Sequence, residues 1–361
     1  MFHSTLRVPL RSLLQQFINR HRSYHPSQAK QIPMELCGVV QALEKIAPTK
    51  LAEEWDNVGL LLEPKPSELI RGVFITNDLT EPVLSEALSL NNIGLILSYH
   101  PPIFQSFKKL TQGSAKERIL LKCAQSGIAV YSPHTALDSM EGGINDWLLA
   151  GVGEGVVSSI GARKMGSRAG NVVNCEGVEQ GHLEELCKSY PLVELRSEGE
   201  ICCSDSDLVN ILPLLKKLSP SNILVNSSTK VEVVPSGGRL VQLSQSLSVA
   251  QVIDKVKTYL HLPHLRVAMP TIDRPINSVA TCAGSGGSVL QGVQADLYLT
   301  GEMSHHQVLE ATAQGTAVVL CEHSNTERGY LKEVYRRRVA ESLPGVEVVC
   351  SETDMDPLKI V

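Results

Sequence analysis

Short, unbroken apolar runs rich in Val, Ile and Leu alternate along this chain with stretches of helical spacing. The runs Gly72–Thr76, Gly94–Ser98 and Ile128–Ser132 read as strands, and helical patterns fall around 83–90, 115–126 and 143–151. A strand without polar alternation is buried on both faces, and strands separated by helices form βαβ units. The chain is therefore expected to be an α/β protein with mainly parallel sheets. A helix carrying Leu36, Val39, Val40, Leu43 and Ile46 precedes the first run and ends at Pro48, and the loop EEWDNVGL (53–60) follows it. The rhythm returns late in the chain. Ser248 can cap a helix burying Val249, Val252, Ile253, Val256 and Leu260, and strands are expected at Val279–Cys282, Asp296–Thr300, Ala317–Cys321 and Val346–Cys350.

The middle differs. Strand (171–175), helix (183–190), strand (192–196), strand (199–203), helix (206–218) and strand (222–226) give a β-α-β-β-α-β order, the ferredoxin-like split unit. Bounded by GARKMGSRAG and PSGG, it reads as an insertion over 168–233 between two halves, 34–167 and 234–361. Few His or acidic residues cluster in it, so no chemistry is expected there. Residues 1–33 lack Asp and Glu but carry Arg7, Arg11, Arg20, Arg22 and Lys30, with Leu10, Leu13, Leu14, Phe17 and Ile18 on one helical face. That is the pattern of a mitochondrial presequence. The expected location is cytoplasmic or mitochondrial.

Charge narrows the function classes. The net charge of −5 argues against a broad phosphate-backbone footprint, so no direct nucleic-acid binding is expected. No apolar stretch reaches the length of a membrane span. Nine cysteines, an odd number with no Cys-x-x-Cys, fit a reducing compartment and core packing.

Polar, metal-competent residues gather just after strand carboxyl ends, the edge where parallel α/β sheets bind ligands. These are Tyr99 and His100; His134 and Asp138; Glu302, His305 and His306; and Glu322, His323 and Glu327. Of eleven histidines, seven lie outside the presequence-like segment and the insertion, and five of those stand at strand ends. One such histidine reads as a capping or loop residue; the set reads as a metal site. Imidazole with carboxylate suits Zn, Mn, Fe, Co or Ni better than Ca or Mg. If Thr326 starts a helix, His323 and Glu327 share a face of its first turn. Tyr99, with a phenol pKa of about 10, is not assumed to be a ligand. The glycine-rich CAGSGGSVL (282–290) reads either as an anion-holding turn or as a tight strand-to-helix packing turn. It is not a P-loop, since no Gly-Lys-Ser/Thr follows.

Taken together, WDNVGLL, LSYHPPIF, YSPHTALD, CAGSGGSVLQG, ADLYLTGEMSHH and CEHSNTERG resemble the Nif-three-like family, also called the type-two GTP cyclohydrolase I family, from about residue 35 onward. The resemblance implies a two-lobed α/β fold with an inserted PII-like domain, a dinuclear divalent metal site and a ring-shaped homo-oligomer, commonly a hexamer. By motif, it makes His100, Asp138, His323 and Glu327 the ligands of Zn, Mn or Fe. His134, Glu302, His305 and His306 then either support the ligands or face a small-molecule substrate, with Glu302, His305 and His306 as the catalytic candidates and His305 or His306 as acid or base in a metal-dependent hydrolysis. It also implies the alternative of an interaction protein with transcriptional corepressor partners, acting in the nucleus around a structural metal. Bacterial members carry two consecutive histidines where this chain has Tyr99-His100. That departure leaves one metal position with Asp138 and Glu327 as its protein ligands, so one or two ions per chain are expected.

Overall fold

The computed structural model describes residues 32–65, 69–166, 170–190, 193–203, 205–218, 221–228, 231–272 and 274–360. The presequence expectation falls almost wholly outside them. The chain forms two compact units, one spanning 1–161 with 235–361 and the other spanning 162–234.

The larger unit is built on two sheets. In the first, the strand order is Glu347–Cys350, Gly72–Thr76, Ile93–Ser98, Ala129–Ser132 and Gly59–Leu62. The first three pairings are parallel and the last is antiparallel. Alternate side chains of its central strands serve two cores. Val73, Ile75, Leu95 and Leu97 pack in a cluster with Leu36, Val39 and Leu43 of the helix Leu36–Ile46. Phe74, Ile93 and Ile96 pack in another with the helices Glu81–Ser89 and Ala115–Gln125 through Val83, Leu84, Ile119 and Cys123. Burial on both sides is why these strands read as unbroken apolar runs.

The second sheet runs Arg266–Ala268, Ala317–Leu320, Leu297–Glu302, Ile276–Ser285, Arg239–Leu247, Gly155–Ser159. Only its two central pairings are parallel; the other three are antiparallel. Here the expectation of a mainly parallel sheet is corrected. Gly155–Ser159 and Arg239–Leu247 behave as the two arms of a hairpin and need no crossover helix. Val279, Leu297, Leu299 and Val319 pack with the helix Val249–Leu260, whose start is closed by a Ser248–Gln251 capping box. Tyr298, Val318 and Leu320 pack on the other face with Ala311 of the helix His305–Ala313. Both sheets draw strands from both sides of the 162–234 unit.

Inside the paired strands Ala162–Gly166 and Val231–Pro235, that smaller unit has a core of element order β-α-β-β-α-β, with strands Gly170–Glu176, Glu194–Ser197, Glu200–Cys203 and Asn222–Ser228 and helices Gln180–Ser189 and Asp205–Lys217. Its sheet is antiparallel throughout, in the order second, third, first, fourth strand. Val173, Cys175, Leu183, Ile201, Ile211 and Leu215 form its core. The chain leaves the larger unit and returns to it at adjacent points: Ser236 N donates to Gly161 O at 3.0 Å and Ile160 N to Gly238 O at 3.1 Å.

Candidate metal centre

The strands Gly72–Thr76 and Ile93–Ser98 continue hydrogen bonding past their ends. Tyr99 N donates to Thr76 O (2.9 Å) and His100 N to Asn77 O (3.0 Å), which sets His100 beside Asn77 and Asp78. In the second sheet Cys321 N donates to Thr300 O at 3.0 Å, carrying the chain from Ala317–Leu320 to Glu322 and His323 beside Glu302. Glu322 takes φ of 64° and His134 takes φ of 29°, both rare for residues with a side chain. Such backbone strain gathers at sites where placement of a group is over-determined.

His100, His323 and Glu327 offer ligating atoms that all lie within 4.8 Å of one another. His100 Nε2 stands 3.5 Å from Glu327 Oε2 and His323 Nε2 stands 3.4 Å from Glu327 Oε1. Each imidazole is held from behind by a carboxylate: His100 Nδ1 to Asp78 Oδ1 at 2.8 Å, and His323 Nδ1 to Glu302 Oε1 at 2.7 Å. This fixes the tautomer and turns both Nε2 atoms toward Glu327. Glu327 is 1% exposed and accepts from Asn77 Nδ2 at 3.1 Å. Asn77 Oδ1 is buried with no hydrogen-bond partner, a spare acceptor beside the cluster. Burial would depress the His100 pKa, but the carboxylates of Glu327 and Asp78 outweigh it and raise it to about 10. The cluster holds a surplus of negative charge that a cation would neutralise.

The glycine-rich turn is a close-packing device here rather than an anion cradle. Gly284 N donates to Thr326 Oγ1 and Gly286 N to Thr300 Oγ1, so those donors are spent inside the protein. Gly284 has φ of 60°, and a Cβ there would stand 2.7 Å from Glu327 Oε1 and 2.8 Å from His323 Nε2. A side chain at 284 would fill the place of the cluster.

The expected helix start at Thr326 is also corrected. Ser324–Thr326 is a 3₁₀ turn, and Glu327 sits at a kinked junction before Arg328–Tyr330 and the π-helical turn Leu331–Tyr335. The Thr326 hydroxyl prefers His323 O, at 2.6 Å, to helix continuation.

Asp138 is not in the triad. Its Oδ1 accepts from the Tyr99 hydroxyl at 2.8 Å, and burial raises its pKa to about 6. Tyr99 is fully buried, with its ring 4.9 Å from that of His100. His305 and His306 open the helix His305–Ala313, exposed, facing each other at 5.5 Å. His134 lies nearer, its ring 5.4 Å from that of His100, with Nδ1 bound to Asp56 Oδ1 at 2.7 Å. Asp78, Asn77 and Asp56 were missed in sequence. Asp78 and Asn77 follow a strand end, the same signal that found His100, and Asp56 lies in the EEWDNVGL loop.

Sheet carboxyl ends that bring two carboxylate-backed histidines onto one buried glutamate define an α/β protein with a side-chain group that could hold a metal ion. More particularly, the chain belongs to the Duf34/NIF3 (NGG1p interacting factor 3) family, whose model matches residues 34–357. It is 39% identical to NIF3-like protein 1 of Rattus norvegicus, covering 91% of this chain and 93% of the relative. NGG1-interacting factor 3 of Saccharomyces cerevisiae is 32% identical, with 90% and 97% covered. Among solved structures, a Bacillus cereus protein related to NIF3 superposes with a TM-score of 0.64 at 23% identity, covering 92% of this chain and all of that one. That likeness is one of fold. Among the described residues no helix is long and apolar enough to cross a membrane.

Proposed function

We propose that His100, His323 and Glu327 hold a divalent transition metal, and that the protein is a metal-dependent hydrolase of a small, nucleotide-like substrate. The observation that carries this is the pair of imidazoles whose Nε2 atoms converge on Glu327 while carboxylates fix their other nitrogens. The donor set of two nitrogens and a carboxylate suits Zn, Mn or Fe. A bound ion would supply Lewis acidity toward a substrate oxygen. Asp78 and Glu302 position the imidazoles. His134, backed by Asp56, is the group suited to move a proton at its free Nε2, in place of the exposed His305 and His306. One ion per chain is the reading supported by the triad, since Asp138 is not among the residues whose ligating atoms converge. We further read 162–234 as an inserted PII-like domain in a two-lobed molecule, on its β-α-β-β-α-β order and its strand arrangement.

Elemental analysis of tag-free protein beside a His323→Ala variant tests the reading. About one transition-metal ion per chain, lost in the variant, is expected. A chain that takes up no Zn, Mn or Fe would overturn it. A second reading, an interaction protein with a structural metal, is favoured by the name of the yeast relative, NGG1-interacting factor 3. It is distinguished by metal removal: a structural ion takes the melting temperature with it, whereas loss of turnover with the fold intact marks catalysis.

A further inference from the structure

Two large aromatic side chains stand open beside the metal cluster. Trp55 is 62% exposed and Phe104 is 46% exposed, and their rings meet edge-on at 5.9 Å. Each also approaches His134, Trp55 at 6.1 Å and Phe104 at 6.4 Å between centroids, and the His134 ring lies 5.4 Å from that of His100. An unbroken path of ring contacts thus leads from solvent to a proposed metal ligand.

The segment bearing Trp55 is fastened on every side. Glu53 N donates to Thr135 Oγ1 (2.9 Å), and Asp56 accepts from Thr135 N (3.1 Å) and holds His134. Asn57 Nδ2 donates to Ile103 O at 2.6 Å, tying this loop to the residue before Phe104. Backbone and polar groups are anchored while the indole is left in water. Exposing so much apolar surface on a rigid mount costs stability and marks a binding surface. Rigidity lowers the entropy lost when a ligand stacks on it.

We propose that Trp55 and Phe104 form a stacking subsite for a flat heteroaromatic ring, a nucleobase or its like, carried by the substrate. The proposal rests on the reading of the cluster as the metal centre of a hydrolase, and it supplies the substrate class. Two ring-to-ring steps, of 6.1 and 5.4 Å, separate the indole from His100. A ring stacked on Trp55 therefore leaves the rest of its molecule directed along this row of rings toward the cluster. Every base has a π-face to stack, so the subsite selects for a ring and tolerates different bases.

The chain has two tryptophans, and the other, Trp147, is 3% exposed in the core. Trp55 emission therefore reports on the subsite. Full-length protein is titrated with AMP, GMP and ribose 5-phosphate. Saturable quenching by both nucleotides and none by ribose 5-phosphate is expected. Phe104→Ala should weaken the quenching titration roughly tenfold, and Trp55→Ala should weaken calorimetric affinity to a similar extent, while Trp55→Phe retains it. Nucleotides that bind no better than ribose 5-phosphate, or an affinity untouched by both alanine variants, would overturn the subsite. An emission shift that instead follows protein concentration, with an assembly lost in Trp55→Ala, would also overturn it and assign the patch to a second copy. Metal content is read on the same samples. A metal-bearing protein without quenching removes the subsite alone; quenching on a protein that takes up no metal removes the hydrolase reading alone.

Discussion

Asp78 decides which nitrogen of His100 faces the cluster. With Nδ1 engaged at 2.8 Å, only Nε2 is offered to a cation. Removing such a supporting carboxylate typically costs 10–100-fold in metal affinity, as an order of magnitude. Asp78→Ala is therefore expected to weaken Zn binding by about that factor in a competitive chelator titration, with the far-UV circular dichroism spectrum unchanged. Gly284→Ala acts at the same scale by another route. It forces a methyl group toward Glu327 and His323 from a left-handed backbone, at a cost of roughly 1–2 kcal/mol from the backbone alone. We expect a lower melting temperature and lost metal together; retention of both would show that the turn can shift away. The triad itself was legible because His100, His323 and Glu327 follow strand ends, where position implies convergence. Asp138 was assigned with them by motif, and its hydrogen bond to Tyr99 could not be read from spacing, since it depends on which rotamer a buried phenol adopts. Asp78 was overlooked because NDLT resembles an ordinary helix start, and Thr80 does cap the helix Glu81–Ser89.

At the scale of elements, the loop 53–58 is the part whose docking depends on pH. Burial would raise the Asp56 carboxyl, but hydrogen bonds from His134 and Thr135 outweigh it and hold the pKa below the ordinary 3.8. A depressed carboxylate contributes stability that is complete above its unfolded pKa and is lost as pH falls through the folded value. The contribution of Asp56 to loop docking is thus complete above about pH 4 and is lost below it. Trp55 emission followed from about pH 5 to pH 2 should change in that acid window, and Asp56→Asn should flatten the change; an acid limb unaltered in the variant would contradict the assignment. The helix Val249–Leu260 offers a simpler test. Ser248→Ala removes its capping box and is expected to cost about 1 kcal/mol by denaturant unfolding. Strands buried on both faces were visible in sequence as unbroken apolar runs. Gly155–Ser159 and Arg239–Leu247 were not, because antiparallel strands with an open face admit polar residues: RLVQLSQSL exposes Gln and Ser and buries Arg239 against Asp146 at 3.0 Å.

For the whole molecule, the closeness of Gly161 and Ser236 means that the 162–234 unit enters and leaves through one hairpin. Replacing it with a short Gly-Ser turn should leave the larger unit folded and its metal content unchanged, as read by calorimetric melting and elemental analysis. An insoluble or metal-free product would show that the unit supports the site.

The sheets also share strands from distant parts of the chain. His100 leaves a sheet whose outer strand is Glu347–Cys350, while His323 and Glu327 follow a strand of the other sheet. During synthesis, His100 emerges with its own sheet unfinished and with both of its prospective co-ligands still unmade. Ribosome-arrested chains ending before residue 320 should accordingly capture no zinc, whatever the supply. The group proposed to hold the ion is therefore complete only in the finished polypeptide.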